Sequence, residues 1–204
     1  MLPVGHDPLP ADLITNLLSL LARTSESLVG YYQHADSVAI DQKADRSPVT
    51  TADRSAHAEL AQGLAKLTPD IPFLSEESTT EEIRERHNWR ICWMVDPLDG
   101  TREFLDRTGE FTVNVALIVD QTPVLGFIAQ PLESRCYLGI PGTGLWCCSG
   151  ENFGQLTTLA PSVSPGRNIR MLASQRHSPQ RVAALAKLLT GLDLPVERIN
   201  AGSA

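Results

Sequence analysis

Residues 91–101 read Ile-Cys-Trp-Met-Val-Asp-Pro-Leu-Asp-Gly-Thr, and the fold turns on this stretch. Residues 91–95 form a short apolar run without charge, as expected of a strand covered on both faces. Asp96 and Asp99 then flank Pro97, which fixes its own φ and biases Asp96 towards an extended backbone. Gly100 permits close backbone approach, and Thr101 is placed to cap a helix beginning at Arg102. Two carboxylates at a strand end, followed by free helix N-terminal amides, can hold a divalent cation and a phosphate together. The same Asp-Pro-x-Asp-Gly sequence is also good turn chemistry, so these residues alone leave a plain loop open.

With 204 residues and 42% hydrophobic content, the chain has material for one sizeable core or two small lobes. A formal net charge of −7 argues against a general nucleic-acid surface. It leaves an anionic small molecule open, because bound metal reverses the local sign. Cys92, Cys136, Cys147 and Cys148 show no CxxC spacing and no companion histidines, which argues against zinc. Adjacent Cys147 and Cys148 are poorly placed for a disulfide, so free thiols in a reducing cytoplasm are expected. No basic segment leads into an apolar core at the start, and no apolar run approaches about 18 residues. Secretion and membrane spanning are therefore not expected.

Upstream, Leu13, Ile14, Leu17, Leu18, Leu21, Leu28 and Tyr32 make a helical stripe over residues 10–34. Polar residues 41–48 read as an exposed loop or hairpin. After Ser-Pro-Val-Thr-Thr-Ala-Asp at 47–53, Thr51 is expected to cap a helix over 52–67, with Ala56, Leu60, Leu64 and Leu67 inward. Asp53 falls in its first turn, where the macrodipole favours a carboxylate even without a function. His57, one turn on, reads as a surface or packed histidine. Residues 71–78, Ile-Pro-Phe-Leu-Ser-Glu-Glu-Ser, form a short strand ending in Glu76 and Glu77. Such acids are either solvated turn residues or ligands at a sheet's carboxyl edge. Residues 79–88 carry charge of mixed sign and read as a solvated loop or short helix.

Downstream, residues 111–119 alternate with period two, and 124–129 make a second strand joined to them by a hairpin. Residues 136–140 and 144–148 form another hairpin around Pro141 and Gly142. A Gly-, Ser- and Pro-rich interval, 149–167, reads as a bridge between lobes. Residues 168–174, 179–189 and 195–200 then follow a strand–helix–strand rhythm. The expected organisation is an α+β lobe, residues 1–130, carrying the site, followed by a partial α/β lobe, residues 131–204. Ala-Gly-Ser-Ala after a strand gives the ending the look of a truncation.

Three pieces line up in order: Thr-Ala-Asp53, Ser-Glu76-Glu77-Ser, and Asp96-Pro-Leu-Asp99-Gly-Thr101. Together they resemble the signature of the lithium-sensitive, magnesium-dependent phosphomonoesterases, the inositol monophosphatase superfamily. Segments 47–53, 72–77, 96–104 and 109–118 are most similar to those of the bacterial 3'(2'),5'-bisphosphate nucleotidases. The resemblance implies α+β followed by α/β, layered as the α/β/α/β/α sandwich of the sugar phosphatases.

It also implies roles for individual residues. Glu76, Asp96 and the Leu98 carbonyl would bind a first Mg²⁺, and Asp96 with Asp99 a second. The amides of Gly100 and Thr101 would receive the substrate phosphate, bordered by Glu76, Leu98 and Asp99. Asp53 with the Thr101 hydroxyl would orient and deprotonate the attacking water, Glu76 serving the same catalytic group. In Ala-Ser-Gln-Arg-His-Ser, residues 173–178, Ser174 and His177 would face the nucleotide. Gly202 and Ser203 would open a helix with further substrate contacts.

The implied substrate is a small nucleotide bisphosphate, not a nucleic-acid polymer. Adenosine 3',5'-bisphosphate would yield AMP and phosphate. The family's later Trp-Asp motif, whose aspartate completes the second metal site, has no counterpart before Ala204. An inositol or other sugar monophosphatase on the same metal core is one alternative reading. A truncated relative without turnover is another. Related enzymes occur as monomers and dimers, so a homodimer stays open. The expected location is the cytoplasm, free or loosely held at the inner face of the membrane.

Overall fold

The computed structural model describes residues 11–34, 39–42, 48–160, 169–174, 183–185, 187–188 and 196–201. Helix α1 (Ala11–Gln33) follows the leucine stripe, and Leu13, Leu17, Leu21 and Leu28 are all buried. Helix α2 (Thr51–Leu67) turns Ala52, Ala56, Leu60 and Leu64 into the same core. The two helices pack against each other, and a Cβ at Gly63 would run into the Leu20 side chain. Their close approach therefore depends on a residue without a side chain.

Before α2, strands β1 (Ile40–Gln42) and β2 (Pro48–Thr50) pair antiparallel. An exposed ion pair, Arg54 to Asp41 at 2.6 Å, ties this pair to the helix. Helix α3 (Thr80–Glu85) and a 3-10 turn, Arg86–Asn88, account for the charged stretch and bury none of their residues.

The platform for the site is a mixed seven-stranded sheet in the order β3 (Phe73–Ser75), β4 (Ile91–Asp99), β5 (Thr112–Val119), β6 (Thr122–Gln130), β7 (Arg135–Ile140), β8 (Gly144–Ser149) and β9 (Gln155–Thr158). Only β3 and β4 run parallel within it; each later neighbour is antiparallel. One face lies on α1 and α2, an α/β sandwich arrangement as expected from the sequence. Trp93 anchors that face, fully buried with its indole N–H donated to Thr68 Oγ1 at 2.8 Å. Strands β10 (Ile169–Ser174) and β11 (Val196–Ala201) pair in parallel, with helical residues 183–185 and 187–188 between them. That is the expected βαβ rhythm.

Two expectations about the sheet and its connections need correction. Strand β4 is not covered on both faces among the described residues: Trp93 and Val95 are buried, but Met94 between them is 48% exposed. A continuous apolar run hides this alternation, because methionine scores as apolar on either face. Nor does the first part of 149–167 act only as a bridge; residues 161–167 lie outside the described residues. That first part contains the 3-10 turn Glu151–Phe153 and β9, which extends the sheet beside β8. Four exposed residues at a sheet edge carry too little pattern to announce a strand.

All four cysteines are free thiols. Cys136 and Cys148 face each other across β7 and β8 in the core. Burial, and then the neighbouring thiols, push both up, Cys148 to about 11. Among the described residues no helix is long and apolar enough to cross a membrane.

Candidate active site

Parallel pairing of Ser75 with Val95 makes Glu76 and Asp96 the next residues at the same end of adjacent strands. The Glu76 amide extends the pairing, donating to the Val95 carbonyl at 3.2 Å. The register of β4 on β5 then slips: Asp96 stands opposite Asn114, but Asp99 stands opposite Thr112, one extra residue on β4. Such a bulge bends a strand and re-aims its side chains. Pro97 sits inside it, where its missing N–H costs no ladder bond. The Asp96 carboxylate braces the bulge by accepting from the Leu98 amide at 3.2 Å.

Gly100 follows with φ +91°, and a Cβ there would lie 2.7 Å from the Glu110 carbonyl oxygen. Helix α4 (Thr101–Leu105) starts directly after it. Thr101 is not the cap that the sequence suggests; Gly100 holds that position and offers no side chain. The Thr101 hydroxyl instead turns to Asp53 Oδ1 at 3.0 Å, with the Leu98 carbonyl at 3.2 Å as its other acceptor. One hydroxyl proton serves one of these at a time. Packing holds α4 in place: Phe104 meets Tyr32 and Phe111 at ring separations of 5.4 and 5.1 Å, and the Arg107 guanidinium lies 4.3 Å over Tyr32.

Asp53 arrives from α2. Thr50, not Thr51, is the cap, because β2 carries extended backbone through Thr50 before the helix turns. Asp53 completes a capping box with it. Its Oδ2 accepts from the Thr50 amide at 2.7 Å and the Thr50 hydroxyl at 2.5 Å, leaving Oδ1 for Thr101. The residue is 3% exposed. Burial raises its carboxyl above the ordinary value against the hydrogen bonds from Thr50 and Thr101, and the charge of Glu77 adds to the rise.

The structure thus brings Asp53, Leu98, Gly100 and Thr101 together, with Asp96, Asp99 and Glu76 at the same sheet edge. Glu76 is exposed, and no group of three or more His, Cys, Asp and Glu that could hold a metal occurs among the described residues. Ser174 closes β10 opposite Ala201. His177, Gly202 and Ser203 lie outside the described residues. His57 packs edge-on against Phe73 at 5.3 Å, an ordinary packed histidine. Sequence reasoning missed Asn114, whose Nδ2 donates to Asp99 Oδ2 at 3.3 Å, and Thr112 behind it. The signal was available: period two in 111–119 puts Thr112 and Asn114 on the face opposite Val113 and Val115.

The model of the inositol monophosphatase family matches residues 11–204. The chain belongs to the inositol monophosphatase family. A family relative, the 3'(2'),5'-bisphosphate nucleotidase CysQ of Aggregatibacter actinomycetemcomitans, is 40% identical over 138 residues, 68% of this chain and 51% of its own length. The crystal structure of CysQ from Bacteroides thetaiotaomicron, a bacterial member of the family, superposes with a TM-score of 0.69 at 29% identity, covering 94% of this chain and 73% of that one. An IMPase/NADP phosphatase complexed with Mg²⁺ and phosphate shares the fold, with a TM-score of 0.64 at 21% identity over 94% of this chain and 66% of that one. The chain spans about half the length of the first curated relatives it matches.

Proposed function

We propose that this chain carries the catalytic edge of a Mg²⁺-dependent phosphomonoesterase that removes the 3'-phosphate of adenosine 3',5'-bisphosphate, giving AMP and phosphate. The observation that carries the reading is the 3.0 Å hydrogen bond from Thr101 to Asp53 Oδ1. It joins the helix start at 50–53 to the carboxylate turn at 96–101, segments far apart in sequence with no need of each other as caps. The similarity to bisphosphate nucleotidases supports the choice of substrate.

In chemical type the donor set fits the metal. Glu76, Asp96, Asp99 and the Leu98 carbonyl are all hard oxygen ligands, suited to Mg²⁺ rather than to zinc or copper. Carboxylates of like charge at one edge repel each other, and a bound cation would relieve that repulsion. When bound, Mg²⁺ supplies water activation, charge neutralisation and leaving-group stabilisation for an in-line displacement.

The chain's own residues do the rest. Thr101, donating its proton to Asp53, keeps lone pairs on Oγ1 that can accept a proton from water. The water's proton then has a route towards Asp53, whose raised affinity makes it the better acceptor. Gly100, with φ +91°, lets the chain turn tightly against the Glu110 carbonyl and start α4, whose first amides, those of Gly100 and Thr101, would receive the phosphate. Ser174, His177, Gly202 and Ser203 are proposed to face the nucleotide. A cytoplasmic setting belongs to the same reading and agrees with the free thiols.

Phosphate release from adenosine 3',5'-bisphosphate and from inositol 1-phosphate, measured side by side with Mg²⁺, tests the reading. The nucleotide is expected to be the better substrate. A clear preference for inositol phosphate replaces the nucleotidase with a sugar phosphatase on the same residues.

A further inference from the structure

We infer that Asn114 is a positioning residue for the Asp99 carboxylate, and that Thr112 and Asn114 together set how tightly this sheet edge holds a divalent cation. The inference rests on the metal-dependent reading above. Asn114 Nδ2 donates to Asp99 Oδ2 at 3.3 Å, and Thr112 Oγ1 donates to Asn114 Oδ1 at 3.1 Å. Chemistry fixes the order of the chain. An ionised carboxylate only accepts, so the amide must present its NH₂ group to Asp99. Its carbonyl end then needs a donor, and the Thr112 hydroxyl is one.

The bulge makes this contact possible. Asn114 stands opposite Asp96 and Thr112 opposite Asp99, so the extra residue on β4 separates the two aspartates along a strand that β5 backs directly. On the other face of β5, Val113 and Val115 are buried, which holds the backbone carrying both polar residues. A functional carboxylate supported from a rigid strand keeps its orientation without paying for it at each encounter with the ligand. A neutral donor has a further advantage here. Arginine or lysine at position 114 would orient Asp99 but cancel the charge that attracts the cation; an amide orients and leaves the charge in place.

Titration calorimetry of Mn²⁺ into the metal-free full chain, without substrate, tests this with Asn114→Leu, Thr112→Val and Thr112→Ser. Asn114→Leu keeps the approximate shape but removes the donor, and is expected to weaken cation binding by about 10- to 100-fold, as loss of a ligand-orienting partner does. Thr112→Val is expected to weaken it in the same direction, and Thr112→Ser, which retains the hydroxyl, to bind as the native chain does. The half-saturating Mg²⁺ for phosphate release is expected to move in parallel. Native affinity in a folded Asn114→Leu chain overturns the inference. Should that variant fail to fold, native affinity in Thr112→Val does so. If the native chain itself takes up no cation, the metal-dependent reading fails first; if it binds and the variants bind equally, only the role of Asn114 fails.

Discussion

Asp53 reconciles two readings that compete in the sequence. A carboxylate in a first helical turn is accounted for by capping alone, and Oδ2 does cap, through Thr50. Oδ1 faces the other way, to Thr101, and no helix geometry requires that. Neither fact is legible from spacing: the choice between Thr50 and Thr51 as cap depends on where β2 stops, and the Thr101 contact depends on tertiary packing of α4. The burial that serves both contacts has a measurable cost. It raises the Asp53 pKa in the folded chain above the unfolded value of about 3.9, so the folded chain binds that proton more tightly. The stability contributed is complete below the unfolded pKa and is lost as pH rises through the folded one. The difference in urea midpoint between the cation-free native chain and Asp53→Asn is therefore expected to fall with pH across that window. A difference that stays level, or grows, contradicts the burial account.

At the scale of elements, the hydrophobic pattern placed α1, α2 and the strands of the central hairpins, because each buries one side against the same core. Features without a burial signature were not legible. The bulge in β4 is announced only by Pro97, and the edge strand β9 by nothing stronger than its β-branched threonines. The β5–β6 connection shows what local geometry can cost. Asp120 and Gln121 both take positive φ, 48° and 63°, the conformation a two-residue hairpin demands and a side chain resists. Asp120 is held by Arg90, which donates Nε and a terminal nitrogen to its two oxygens at 3.0 and 3.2 Å. Gln121 keeps its strained backbone at φ 63°, so Gln121→Gly is expected to stabilise the chain by up to about 1 kcal/mol. Thermal unfolding should register this as a rise of roughly 2–4 °C for a chain of this size. A lowered midpoint would mean that the hairpin strain is relieved in another way.

For the molecule as a whole, what the sequence made legible was the order of three short motifs, each lying at a strand end or a helix start. Those positions converge because β3 and β4 run parallel and α2 and α4 both begin at the same edge. What it could not make legible was the support behind them: Thr112 and Asn114 look like ordinary polar positions of an alternating strand until β5 is laid against the bulge. Strand pairing also runs unbroken across residue 130, from β3 to β9, while β10 and β11 pair only with each other among the described residues. The central claim is that the turn at 96–101 serves chemistry and not merely chain reversal. Asp99→Asn separates the two, since an asparagine there can still accept from Asn114 but no longer carries the charge. The decisive measurement is Mg²⁺-dependent phosphate release from adenosine 3',5'-bisphosphate by Asp99→Asn and native chains, with thermal midpoints recorded for both. The account predicts a loss of about a hundredfold or more with a midpoint shift under about 4 °C. Retained activity, or a variant that unfolds, would contradict it.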